Sequence, residues 1–171
     1  SAINEAFADR DHAKMREAII AWVQTFKRKV FLVPEMTYAV SRIKPLLYDP
    51  LPVNIKPMVE IMDRYWLTAE AASVYSQAAA MISFEMHSPI MSLTSSTPAM
   101  YLRQPTDTRK GQMWRDIGLH DWIFEIDDTT GKQIADRLLE IGRDLPASRL
   151  KAQQSLKFSQ QSMKEMVLAI E

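Results

Sequence analysis

The feature that most constrains this chain is a recurrence of apolar runs too short to be helices, each followed by polar residues and then a segment of helical length. Val30-Phe31-Leu32-Val33, Ala80-Met81-Ile82-Ser83-Phe84, Ala99-Met100-Tyr101-Leu102 and Trp122-Ile123-Phe124-Glu125-Ile126 all read as buried strands. The intervening segments carry helical signals. Met15, Ala18, Ile19, Trp22, Val23 and Phe26 fall on one helical face, and Lys27-Arg28-Lys29 suits the negative end of its dipole. Residues 38–47 predict a helix that Pro45 must bend or end, and residues 68–79 an alanine-rich helix. Residues 111–117 predict a short helix closed by Gly118 in the left-handed conformation. Thr130-x-x-Gln133 is a capping box that launches a helix to about Ile141. Residues 142–146 should break it. Residues 148–170 then form a terminal helix with Leu156, Met163, Val167 and Ile170 on one face. Residues 48–57 read as a loop, and residues 58–66 fit neither period. Alternating strands and helices imply an α/β fold, one parallel sheet with helices on both faces, in a single domain over residues 1–171.

Charge and motifs narrow the function by exclusion. The counts of acidic and basic residues are equal, 21 each, which gives no electrostatic case for nucleic acid or an anionic membrane. No apolar run approaches the roughly 20 residues of a membrane span, and there is no signal-peptide pattern, so a cytoplasmic protein without a transmembrane segment is expected. The 4 glycines form neither a G-x-G-x-x-G nor a P-loop. With 3 histidines and no cysteine, no metal-ligand spacing is recognisable, and no cofactor is expected.

What remains is a set of polar residues where strands should end. Behind Phe84 comes Glu85-Met86-His87-Ser88-Pro89. Ser88 is a favoured N-cap and Pro89 a favoured first helical residue, which would leave His87 just outside a helix N-terminus. There it can meet an anion or exchange a proton near neutral pH, or serve only as a structural histidine. Glu85 can accept from a sugar or ribose hydroxyl, or orient His87. Behind Leu102, the loop Arg103-Gln104-Pro105-Thr106-Asp107-Thr108-Arg109-Lys110 offers Arg103 as a fork for a carboxylate or phosphate. A salt bridge from Arg103 to Glu85 or Asp107 is the alternative. Gln104, Thr106 and Lys110 are further candidates for donor contact, although solvent-facing charge competes for the lysine. Glu35, after Val33-Pro34, is a weaker candidate. Trp114 and Trp122 read as core aromatics, with a place in a pocket wall as the alternative. If the strands before Glu85 and Arg103 are parallel neighbours, their polar segments emerge at the carboxyl edge, where open α/β sheets bind ligands.

This order resembles the C-terminal half of the polysaccharide pyruvyl transferase family. The resemblance spans roughly residues 30–127. It rests on His87-Ser88 after a strand, Pro98 before the next strand, the polar loop with Lys110, and Asp116-Ile117-Gly118-Leu119-His120-Asp121-Trp122-Ile123-Phe124-Glu125-Ile126-Asp127. It implies a Rossmann-like half of a GT-B-type two-domain enzyme that moves a pyruvyl unit from phosphoenolpyruvate to a sugar of a cell-surface polysaccharide. The chain would then be the donor-binding half, inactive without its N-terminal domain, with His87 at the donor or handling a proton. Two positions depart from the family: Glu85 stands where an arginine is usual, and Glu35 where Val-Pro-His is usual. The alternatives are a GT-B glycosyltransferase with a nucleotide-sugar donor, in which Glu85 would hold a hydroxyl, and a non-catalytic module that binds sugar or phosphate.

Overall fold

The computed structural model describes residues 5–168, with the Lys110 side chain outside that description. Ile170, assigned above to the face of the terminal helix, also lies outside the described residues. Helix α1 (Ala8–Phe26) buries Met15, Ala18, Ile19, Trp22 and Val23, the stripe its spacing demanded. Strand β1 (Val30–Leu32) follows, then a short helix α2 (Val40–Ile43), strand β2 (Val59–Ile61) and helix α3 (Thr68–Gln77). Next come β3 (Met81–Ser83), α4 (His87–Thr94), β4 (Ala99–Arg103), the four-residue helix α5 (Met113–Asp116) and β5 (Ile123–Glu125). Two helices close the chain, α6 (Gly131–Arg143) and α7 (Leu145–Leu168). None of the described helices is long and apolar enough to cross a membrane.

The α/β class holds, but the single sheet expected above is divided. β1 pairs in parallel with β2, and β3, β4 and β5 form a separate parallel sheet in that order. The gap falls between β1 and β3, where a cavity of about 1280 Å³ is lined by β1, β3 and the inner face of α1. β4 is the middle strand of its sheet and is buried from Ala99 through Leu102, which is why it reads as a continuous apolar run. The core continues through Trp114, Leu119, Ile126 and Ile134, all inaccessible to solvent. Trp66, Ala71 and Tyr75 form a second, smaller cluster. Trp114 donates its indole N–H to the Ala99 carbonyl at 3.0 Å, so both Trp114 and Trp122 belong to the core rather than to a pocket wall.

Two local expectations are corrected, and the one at Pro45 takes a form that the sequence did not specify. β2 lies within the stretch that fitted neither period, because so short a strand with Glu60 turned outward leaves no alternation to count. Pro45 ends the α-helical stretch as expected, since α2 stops at Ile43. The turn Lys44–Tyr48 widens to π geometry, with Asp49 N–H donating to the Lys44 carbonyl at 2.9 Å, which makes room for the proline ring. The break at residues 142–146 shrinks to Asp144, whose carboxylate accepts from Ala147 N–H at 3.0 Å and starts α7 before Pro146. The Thr130–Gln133 capping box forms as expected, each side chain bonding the other's backbone N–H, and Gly118 adopts φ 80°.

Candidate functional site

The site is assembled from the carboxyl ends of β1 and β3, which face each other across the cavity. Pro34 and Glu35 follow β1, and Ser83 through Ser88 lead from the end of β3 into α4. Glu35 reaches over to the second sheet. Its carboxylate accepts from Ser88 N–H at 3.0 Å and from the Ser83 hydroxyl at 3.3 Å. It therefore caps α4 from 53 residues earlier in the chain. This corrects the local reading of Ser88: α4 begins at His87, Met86 occupies the N-cap position without a side-chain bond, and the Ser88 hydroxyl is buried against Tyr75 at 2.8 Å. His87 is the first helical residue rather than one outside the helix.

Glu85 stands beside this cap. Its carboxylate accepts from the Tyr38 hydroxyl at 2.9 Å, and its backbone N–H donates to the Ser83 hydroxyl at 2.9 Å. His87 is exposed, with its Nδ1 3.5 Å from the Glu35 carboxylate. Glu35, Glu85 and His87 bring one donor atom each to within 4.8 Å of one another. Among the described residues, no lysine or arginine forms an ion pair with Glu35 or Glu85. Burial pushes the Glu35 carboxyl above the usual carboxylate range, its bonds from Ser88 oppose that shift, and the Glu85 charge adds to it. Partial burial, followed by the Glu85 carboxylate, pushes the Tyr38 phenol up to about 12.

The segment after β4 lies on the same edge, since Met81 pairs with Ala99 and Ser83 with Tyr101 in parallel register. Gln104 and Asp107 line the cavity together with Glu35, Glu85 and Ser88. The Arg103 guanidinium, by contrast, is turned into its own sheet. It donates to the Glu125 carboxylate at 2.7 Å and to the Asp107 carbonyl at 2.8 Å. The Asp107 carboxylate in turn accepts from the Tyr101 hydroxyl at 2.6 Å and from Gln104 N–H at 2.8 Å. Glu125 also receives Arg115 at 3.0 Å. The fork of Arg103 is thus engaged by the sheet's own groups, with an acidic partner from β5 rather than Glu85. Thr106 is exposed in the loop, and Lys110 falls in the 3₁₀ turn Arg109–Gln112.

The fold thus gathers Glu85, His87, Ser88 and Gln104 about one cavity mouth and directs Arg103 away from it. Glu35 matters more than its place in the sequence suggested. Its signal was a carboxylate directly after a short strand and a proline, but the capping role depends on a long-range contact. Tyr38 and Ser83 carried no signal at all. His12, on the cavity wall, packs against the Phe84 ring in a tilted contact with centroids 4.9 Å apart and donates from Nδ1 to the Ala8 carbonyl at 2.6 Å. Burial lowers its pKa.

No family model matches the chain, and neither a curated protein nor a solved structure matches it significantly.

Proposed function

We propose that the chain is the donor-binding half of a cleft transferase of cell-surface polysaccharide synthesis, similar to the polysaccharide pyruvyl transferases and Rossmann-like in the manner of a GT-B half. One observation carries the reading. β3, the Glu85–Ser88 segment, α4, β4, its polar loop and β5 follow one another in the order the resemblance implies, and the polar ends of β3 and β4 open onto one cavity. That cavity lies at the carboxyl ends of β1 and β3, the kind of edge at which open α/β sheets take ligands.

In this reading the phosphoenolpyruvate donor lies in the cleft and a saccharide hydroxyl enters from a facing N-terminal domain. Two sugar hydroxyls add to the donor's C2, phosphate leaves, and the former methylene carbon gains a proton. In this reading the exposed His87 exchanges that proton and Glu85, which already accepts from Tyr38, accepts from an incoming hydroxyl. The half alone lacks the acceptor wall and the exclusion of water that such chemistry needs.

A second reading has a specific observation in its favour. Two carboxylates with no lysine or arginine paired to them among the described residues suit a hydroxyl-rich group better than a small trianion. A nucleotide-sugar donor, with Glu85 on a ribose or sugar hydroxyl, fits that chemistry. Thermal-shift titration with phosphoenolpyruvate and with a panel of nucleoside diphosphate sugars ranks the two donors. A ligand at 100 times its Kd should stabilise the chain by about 2.7 kcal/mol. Absence of a shift with every compound would count against both transferase readings and favour the non-catalytic module.

A further inference from the structure

The rim of the cleft poses a chemical problem for any anionic donor. Glu35 and Glu85 are held close together at its mouth, and the Arg103 guanidinium is spent on Glu125 and the Asp107 carbonyl. A phosphate or diphosphate approaching this rim meets like charge. The third member of the cluster is an imidazole, so the set is not merely acidic. It offers nitrogen and oxygen donors from two separate strand ends, as metal sites in cleft enzymes do.

We infer that Glu35, Glu85 and His87 form a divalent-cation site at the mouth of the cleft, and that the ion held there binds the anionic group of the donor. The donor atoms lie within 4.8 Å of one another, a span that small side-chain adjustments can close onto one ion. The two carboxylates are also aimed by neighbours outside the set. Ser88 N–H and the Ser83 hydroxyl fix Glu35, whose side chain is only 14% exposed, and the Tyr38 hydroxyl fixes Glu85. Outer hydrogen bonds of this kind orient metal ligands and tune their basicity. Three protein ligands leave coordination positions open for oxygens of a bound donor. A mixed imidazole and carboxylate set suits Mn²⁺ or Zn²⁺, whereas Mg²⁺ would rest mainly on the carboxylates. Because Glu35 follows β1 and the other two follow β3, the ion would also tie the two sheets together across the cavity.

The cation site stands on this geometry alone, while its role in holding a donor rests on the proposed transferase reading. The experiment separates the two. The chain is stripped with EDTA, desalted and titrated calorimetrically with MnCl₂ and with ZnCl₂, no donor being present. One saturable site per chain is expected, weakened about tenfold or more in Glu85→Gln. In His87→Ala, Zn²⁺ should weaken more than Mn²⁺. Glu35→Gln touches the cap of α4, so the site is judged on the other two variants, whose folding is checked by circular dichroism. No saturable binding, or binding unchanged in both variants, overturns the site. A second titration uses phosphoenolpyruvate and uridine diphosphate with and without Mn²⁺. Donor binding only with Mn²⁺ supports site and role together. Donor binding equally tight in EDTA overturns the role while leaving the transferase reading intact. Metal binding with no donor binding supports the site and counts against the transferase reading.

Discussion

The two halves of the carboxyl edge use the same kinds of residue to opposite ends. Behind β4 and β5, Arg103 is closed in by Glu125 and the Asp107 carbonyl, and Tyr101 and Gln104 complete the bonding of Asp107. Behind β1 and β3, Glu35 and Glu85 stand together with an exposed histidine and no paired lysine or arginine among the described residues. On one rim the charged groups are paired with each other, although the buried Arg103 Nε has no partner among the described residues, and these groups serve the fold. The other holds like charges close, an arrangement that gains when a ligand supplies what is missing, and such sites are where function concentrates. A charged residue at a strand's carboxyl end therefore carries no meaning until its partners are known.

This contrast predicts different responses to substitution. The largest effect belongs to the closed rim. Arg103→Met removes the ion pair and leaves Glu125 with Arg115 alone, and urea unfolding should show a loss of roughly 2 kcal/mol, discounted from the buried-pair range because both side chains are partly exposed. A smaller effect comes from Gly111→Ala. A Cβ there would lie 2.8 Å from Arg103 Cδ and 3.0 Å from Tyr101 Cε1, so the variant should lose about 1–2 kcal/mol by forcing the guanidinium off its partners. On the open rim, Glu35→Ala should cost about 1 kcal/mol through the lost cap of α4. Glu85→Gln, which relieves repulsion while keeping a hydrogen-bond acceptor for Tyr38, should stay within about 0.5 kcal/mol of the parent. If Glu85→Gln proved as costly as Arg103→Met, the distinction between the rims would fail.

The smallest prediction concerns pH. Burial holds the His12 pKa below its ordinary value, so in the window beneath about 6.5 the unfolded chain binds a proton that the folded chain refuses. The stability that His12 contributes is complete above that ordinary pKa and declines as pH falls through it. Denaturation midpoints at pH 7.5 and 5.5 should therefore draw apart less in His12→Phe, which keeps a ring against Phe84, than in the parent chain. Equal pH slopes would show that the cavity wall does not exclude the charged imidazole.

How much of this was legible in the sequence follows the range of the interactions. Strands β1, β3, β4 and β5, the stripe of α1 and the Thr130 capping box are local patterns, and they read correctly to within a residue or two at their ends. β2 escaped because three residues offer too little period. Residues 80–104 also gave the placement of Glu85 and Gln104 on one edge, since parallel pairing of β3 and β4 follows from a strand–helix–strand order. The partners were another matter. That Glu35 caps α4, that Tyr38 serves Glu85, and that Arg103 meets Glu125 all depend on contacts across 53, 47 and 22 residues, which no local pattern encodes. The split of the sheet was hidden for the same reason, because strand order is a tertiary choice.

The most direct test of the open rim as a binding site is a map of where ligand binds. In ¹⁵N-labelled chain titrated with phosphoenolpyruvate, with uridine diphosphate and with each in the presence of Mg²⁺, amide shifts should concentrate at Glu35 and at Glu85 through Ser88. The amides of Arg103 and Glu125 should move little. Shifts centred on Arg103 and Glu125, with the residues at the ends of β1 and β3 unmoved, would contradict the assignment.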